Sequence, residues 1–234
     1  MKCNRFALVL ALAALIGFSA CSPSVIVTIK PDTSGKAAFN AEMTPTAQTV
    51  VRKFTGTNAD RSVESQLFDP ESLKASLAQT GFSVDTIKLP VKGGITLGLS
   101  FQKLDGLLAQ AVSMKPGTNS ITVTLSRGSI NAAVDLMPSE TREYLDLLMA
   151  PVFTGEELST ADYEDIIAST YGKTLAGELK DARFTLTIRC PGAVKNAAVT
   201  AGCTASKTDS GALFTIPLTT LLSMERPITA SASW

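Results

Sequence analysis

The chain has 234 residues, 45% hydrophobic and 6% aromatic, with 21 Lys and Arg balanced by 21 Asp and Glu and no histidine. Zero formal charge gives no basic footprint for nucleic acid. The lack of histidine closes Ser-His-Asp and Cys-His nucleophile systems, His-ligated zinc or haem, and imidazole base catalysis near neutral pH.

In chain order, Lys2 and Arg5 come first, and an apolar run from Ala7 to Ile16 follows, long enough for secretion but short of a stable membrane span. Phe18-Ser19-Ala20-Cys21 closes it. This segment resembles the bacterial lipoprotein signal peptide, with residues 18–21 as its lipobox. The resemblance implies removal of residues 1–20, lipidation of Cys21 by acyl chains such as palmitate, and anchorage to a membrane of the cell envelope. A second acyl chain makes such an anchor lasting. Ser22 stands where enteric lipoproteins retained at the inner membrane carry Asp, which favours the outer membrane. Removal of residues 1–20 takes Lys2 and Arg5 and no acid, leaving a slight acidic excess. Residues 21–24 then form the anchor and a short tether, and residues 25–234 a single α+β envelope domain.

Val25 to Lys30 is β-branched, Pro31-Asp32-Thr33-Ser34-Gly35 is turn chemistry, and Ala37, Phe39, Ala41 and Met43 alternate with polar residues; together they predict a β-hairpin. Thr46 to Ser65 is polar and weakly helical. Asp69-Pro70-Glu71 opens a helix with Leu73 and Leu77 as its stripe and Gly81 at its end. Strands are predicted at Val84 to Leu89, Ile95 to Phe101 and Ile121 to Leu125, with a short helix over 103–112 between them. Helices follow over 138–150 and 159–180, the second opened by Ser159 and Asp162 as a capping box and interrupted at Gly172. Tyr163, Ile166, Ile167 and Tyr171 form its stripe. Strands return at Phe184 to Cys190, Val199 to Cys203, Ala212 to Leu218 and Ile228 to Trp234, with a short helix near 219–224. The whole reads as an α+β fold: a largely antiparallel sheet of about seven to nine strands with two to four helices on one face.

Cys3 leaves with the signal and Cys21 is committed to lipid, so Cys190 and Cys203 remain. In an oxidising envelope they are expected to form a disulfide across a hairpin. Two thiolates with no histidine make an incomplete zinc site, and no metal or other cofactor is expected.

Carboxylate chemistry stays open, because a glycosidase needs only two acids at the right separation. Glu140, Glu143 and Asp146 form one group; Glu156, Glu157, Asp162, Glu164 and Asp165 form the other. Most of these lie in first helical turns, where the dipole favours acids on a solvated face. Asp32-Thr33-Ser34-Gly35 lacks the ligand spacing of a calcium loop, and Gly93-Gly94 precedes no phosphate-binding helix. Apolar surplus at Leu145 to Phe153 and Leu218 to Met224 suits either a sheet cap or a hydrophobic ligand. The leading expectation is a non-enzymatic, membrane-anchored lipoprotein that binds an envelope protein or a lipid near the membrane surface. A carboxylate hydrolase of an envelope polymer and a structural or surface-antigen lipoprotein are the alternatives.

Overall fold

Alternating apolar residues in most of the strands place one apolar face on each sheet, and the architecture follows from where those faces meet. A computed structural model describes residues 22–56, 60, 63, 69–78, 82–89, 94–103, 112–114, 119–134 and 158–234. The strands are β1 (Ser24–Ile29), β2 (Gly35–Ala41), β3 (Phe82–Lys88), β4 (Ile95–Phe101), β5 (Val112–Met114), β6 (Ser120–Leu125), β7 (Arg183–Arg189), β8 (Asn196–Val199), β9 (Thr204–Thr208), β10 (Gly211–Pro217) and β11 (Ile228–Ser233). The helices are α1 (Pro45–Thr55), α2 (Pro70–Ala78), α3 (Arg127–Val134), α4 (Thr160–Tyr171), α5 (Lys173–Asp181) and α6 (Leu218–Ser223).

The strands form a seven-stranded sheet, ordered β3-β4-β2-β1-β7-β10-β9, and a four-stranded sheet, ordered β5-β6-β11-β8. Among the described pairs, only β1 with β7 is parallel. The fold is α+β and dominated by its sheets. β1 is the fourth of seven strands, hydrogen-bonded to β2 on one side and β7 on the other. The ladder reaches back to Pro23, whose carbonyl accepts the Thr185 N–H at 2.9 Å. Proline is tolerated here because it opens the strand.

On the inner face of the large sheet, Leu97, Phe39, Val25, Leu186 and Phe214 line up across five adjacent strands, all buried. Each removes roughly 1.5–3 kcal/mol worth of apolar surface from water. Phe82 and Phe101 close one end edge-to-face, their centroids 6.1 Å apart. α6 packs on β7 and β10, with Leu218, Leu221 and Leu222 wholly buried; α4 and α5 pack on α6. The buried apolar residues form one contiguous cluster.

The caps explain where the helices begin. Thr44 Oγ1 accepts the Ala47 N–H at 3.1 Å at the start of α1, and Asp69 Oδ2 accepts the Ser72 N–H at 2.8 Å at the start of α2. Ser159 Oγ accepts the Asp162 N–H at 3.1 Å and donates to Asp162 Oδ2 at 2.6 Å, tying off the start of α4. Gly172, at φ 99°, separates α4 from α5, so the expected helix over 159–180 is two.

Other expectations are corrected by packing. Ile166 is 42% exposed, because α4 turns Tyr163 and Ile167 inward and leaves Ile166 outside the stripe. The helix expected over 103–112 lies mostly outside the described residues, and Val112 opens β5 instead. α3 and β9 are elements the periodicity does not announce: α3 is short, and β9 is exposed along nearly its whole length. The helix expected over 138–150 lies outside the described residues.

Tyr163 is the largest fully buried side chain among the described residues, and its hydroxyl has no hydrogen-bond partner among them. Burial raises its pKa, so the phenol stays protonated. A buried, unpartnered polar group costs about 1–3 kcal/mol. Tyr163→Phe is therefore expected to raise the thermal midpoint, whereas Tyr163→Ala should cost about 3–5 kcal/mol through the cavity it leaves. Thermal and denaturant melts of the two variants check both signs.

Candidate functional site

The outer face of the seven-stranded sheet follows from the same alternation. In register across all seven strands stand Lys88, Thr96, Asn40, Ser24, Thr185, Thr215 and Thr204, at the end where β1 begins. Two further rows cross the sheet through Ile26 and Thr28. Hydroxyl side chains fill more than half of the three rows, and none of the rows contains an aromatic residue. Only Gly211 among these residues is buried. The result is an open, hydroxyl-rich face seven strands wide.

Its charges are Lys36, Lys88 and Arg189, with Asp85 at the β-bulge between Val84 and Thr86. Asp85 accepts the Ser100 hydroxyl at 3.0 Å and pairs with Lys36 at 3.6 Å. Both partners of that pair are exposed, so the pair adds little stability. The bulge also twists β3, an edge strand, away from edge-to-edge pairing.

A groove of about 280 Å³ lies at the β1 end of this sheet, between Ser22, Asn40–Glu42 and Gly94–Thr96. The Thr96 hydroxyl donates to Asn40 Oδ1 at 3.0 Å beside it. A smaller cavity of about 120 Å³ lies between Thr160, the Thr200–Cys203 turn, Thr220, Glu225, Arg226 and Ile228. Glu225 there accepts the Thr160 N–H at 3.4 Å, so the start of α4 already has its carboxylate.

Next to the sheet, the Thr44 and Thr46 hydroxyls both donate to Glu178, at 2.5 and 2.6 Å. This joins the start of α1 to α5 across more than a hundred residues of sequence. No local motif marks it: a Thr-rich helix start and a helical Glu are each ordinary. On α3, Arg127 Nη2 and Asn131 Oδ1 are buried without partners, while Arg127 Nε donates to the Met224 carbonyl at 3.1 Å.

Three of the carboxylates considered from sequence lie among the described residues. Asp162 is held by Ser159 at the cap of α4. Glu164 accepts Lys180 Nζ at 2.9 Å, a contact that raises the Lys180 pKa. Asp165 is exposed. All three lie on α4, and none of them lines either cavity described above. Glu140, Glu143, Asp146, Glu156 and Glu157 lie outside the described residues, as do Cys21 and the apolar stretch 145–153. No group of three or more His, Cys, Asp or Glu that could hold a metal occurs among the described residues. No helix among them is long and apolar enough to cross a membrane.

No protein-family model matches this chain, and no curated protein matches it. Among solved structures, the folded domain of LppM from Mycobacterium tuberculosis, determined by NMR, is similar to it with a TM-score of 0.35 and 11% identity over 92% of each chain. Likeness at that level bears on neither the fold nor the site.

The cysteine pair is the clearest correction. Cys190 and Cys203 are free thiols in the structure. After Pro191-Gly192 the chain leaves the large sheet and adds β8 to β11, so no β7–β8 hairpin forms. Gly192 packs against the Trp234 ring; an added Cβ would lie 3.1 Å from it. β9 then returns beside β10, which separates it from β7. The Cys190 N–H bonds Ser210, just before β10, while Cys203 adjoins Thr204, which faces Thr215 near the other end of that strand. At ~3.3 Å per residue the two are roughly 20 Å apart along β10. A disulfide needs Cα atoms within about 7 Å.

Burial pushes the Cys190 thiol up to about 11 and raises that of Cys203. Both thiols are therefore expected to alkylate slowly near neutral pH in the folded protein and fully once it is unfolded. Intact mass after alkylation with and without denaturant measures this; a loss of two protons and no uptake would restore the disulfide.

Breaking the Glu178 link is expected to loosen α1 from α5. Glu178→Ala leaves two threonine hydroxyls without their charged acceptor and should cost about 2 kcal/mol, on the order of what hydrogen bonds to charged groups contribute. A denaturant melt set beside that of Thr46→Val, which removes one of the two bonds, gives the share carried by each.

Proposed function

We propose that this is a lipid-anchored protein of the bacterial cell envelope, held through Cys21, that acts by binding rather than by catalysis. The observation that carries the reading is where the folded domain begins. β1 starts at Ser24, three residues past the lipobox cysteine, and is the middle strand of the large sheet, bonded on both sides. A domain whose central strand begins this close to the anchor is a domain held at a surface. The absence of Asp at position 22 supports the outer membrane as that surface.

The surface available for binding is the hydroxyl-rich outer face. Lys36, Lys88 and Arg189 outweigh Asp85 on it, which suits a protein partner with an acidic, polar surface. Hydroxyl rows without aromatics offer little to a hydrocarbon ligand, so a partner protein is favoured over a lipid carried in a cavity.

Cys21→Ser in the full-length chain tests the anchor. The wild-type protein should fractionate with membranes, and its N-terminal peptide should carry the mass of a diacylglyceryl cysteine. The variant should keep its fold by circular dichroism and move to the soluble fraction. An unmodified wild-type N terminus, or a variant that stays on the membrane unchanged, would reject the reading.

A further inference from the structure

We infer that the end of the seven-stranded sheet carrying Ser24, Asn40, Thr96 and Lys88 rests against the phospholipid headgroups, with the strands standing along the bilayer normal. The inference rests on the proposed acylation of Cys21 and adds to it the surface that meets the membrane.

Little chain separates the sheet from the anchor. Pro23 is buried and its carbonyl is bonded to Thr185, so the sheet holds the backbone up to Pro23. Ser22 alone lies between that fixed point and Cys21. At ~3.5 Å per residue, two steps of chain give a tether of about 7 Å.

That length decides which surfaces can touch the membrane. β1 is the middle strand, with three strands on each side. At ~4.8 Å between strands, the outermost strands lie roughly 14 Å to either side of the anchor point. Tipping the domain onto β3 or β9 would lift the start of β1 by that amount, about twice what the tether allows. β1 also runs away from the anchor. Its far end at Ile29 is about 17 Å from Ser24 at ~3.3 Å per residue, so the turn at Asp32 cannot be brought down beside Cys21 with the strand upright.

The surroundings of Ser22 name the contact surface. Ser22 opens into the groove formed with Asn40–Glu42 and Gly94–Thr96, where β2 ends and β4 begins. The chain thus leaves among the ends of neighbouring strands, at the end of the sheet where α5 runs into β7 and β10 runs into α6. Lys88 ends β3 in the same row, and Arg183 begins β7 two residues beyond it, its guanidinium donating to the Lys180 and Ala182 carbonyls. Hydroxyl, amide and cationic groups at this end are suited to phosphate and glycerol oxygens, and the exposed Glu42 carboxylate is the charge among them that opposes an anionic headgroup. In this posture the hydroxyl-rich face stands upright beside the membrane, open to a partner.

The test uses the full-length, acylated protein in phosphatidylethanolamine–phosphatidylglycerol vesicles that contain a lipid with a nitroxide on its headgroup. With Cys190→Ala and Cys203→Ala as background, single cysteines labelled with bimane replace Glu42 or Lys88 at the near end. Arg189 probes the far part of the outer face, Asp209 the far turn and Asp165 the helical side; all five positions are exposed. Quenching at 42 and 88 should exceed that at 189, 209 and 165 several-fold. Equal quenching at 189 and 88 would mean the sheet lies on its outer face, and strong quenching at 165 that it lies on its helices; either result overturns the inference. Uniformly weak quenching in vesicle-bound, acylated protein would overturn it too, by showing a domain held clear of the headgroups. Intact mass of each sample separates these results from failure of the anchor itself, which would appear as an unmodified Cys21.

Discussion

The parallel pairing of β1 with β7 holds the large sheet together. On one side of it, β1 to β4 form an antiparallel unit between Ser24 and Phe101; on the other, β7, β10 and β9 form a second unit between Arg183 and Pro217. Only the ladder from Ser24–Thr185 to Thr28–Arg189 joins them within that sheet. The pairing closes a loop of more than 150 residues. Loop-closure entropy grows only with the logarithm of length, so the cost is tolerable, but the contact is non-local and slow to find. Its return is the apolar row through Phe39, Val25, Leu186 and Phe214, which is continuous only when the two units are in register. A slip of one residue would turn every one of those side chains outward.

The same register produces the outer face. Side chains alternate along a strand, so a sequence that places Val25, Val27 and Ile29 inward must place Ser24, Ile26 and Thr28 outward. Threonine is suited to this position because it is β-branched and fits the pleat, while its hydroxyl keeps the surface wet. The face is thus partly a consequence of building a one-sided sheet. What goes beyond that need is its breadth, since the rows run unbroken across seven strands of both units.

Much of this was legible in the sequence, for reasons that can be named. β1, β2, β4, β6, β7, β10 and β11 announce themselves because each has one buried face, and Asp69, Ser159 and Gly172 mark helix boundaries through local capping chemistry and backbone freedom. β9 was not legible, because an exposed edge strand of Thr204, Ser206 and Lys207 has no inward face to write into the pattern. The position of Cys203 was misread for a related reason. Pro191-Gly192 is hairpin chemistry locally, and only the tertiary position of Trp234 and the open edge of β11 draws the next strand into the other sheet. The outer face was visible as polar alternation strand by strand. Its continuity was not, because the order β4-β2-β1-β7-β10 is a property of topology.

The proposed place of the anchor would have a mechanical consequence. A lipid on Cys21 would transmit any lateral or normal force on the domain into β1 at its first residue. Were β1 an edge strand, only one ladder would resist such a load. As the middle strand it is bonded on both sides, to β2 by Ser24–Ile29 and to β7 by Ser24–Thr28, and a pull along its axis loads all of those bonds together. Val25, Val27 and Ile29 add their buried side chains to the same resistance. Tethering a domain by a strand bonded on both sides, with almost no linker, would resist its extraction through those same contacts.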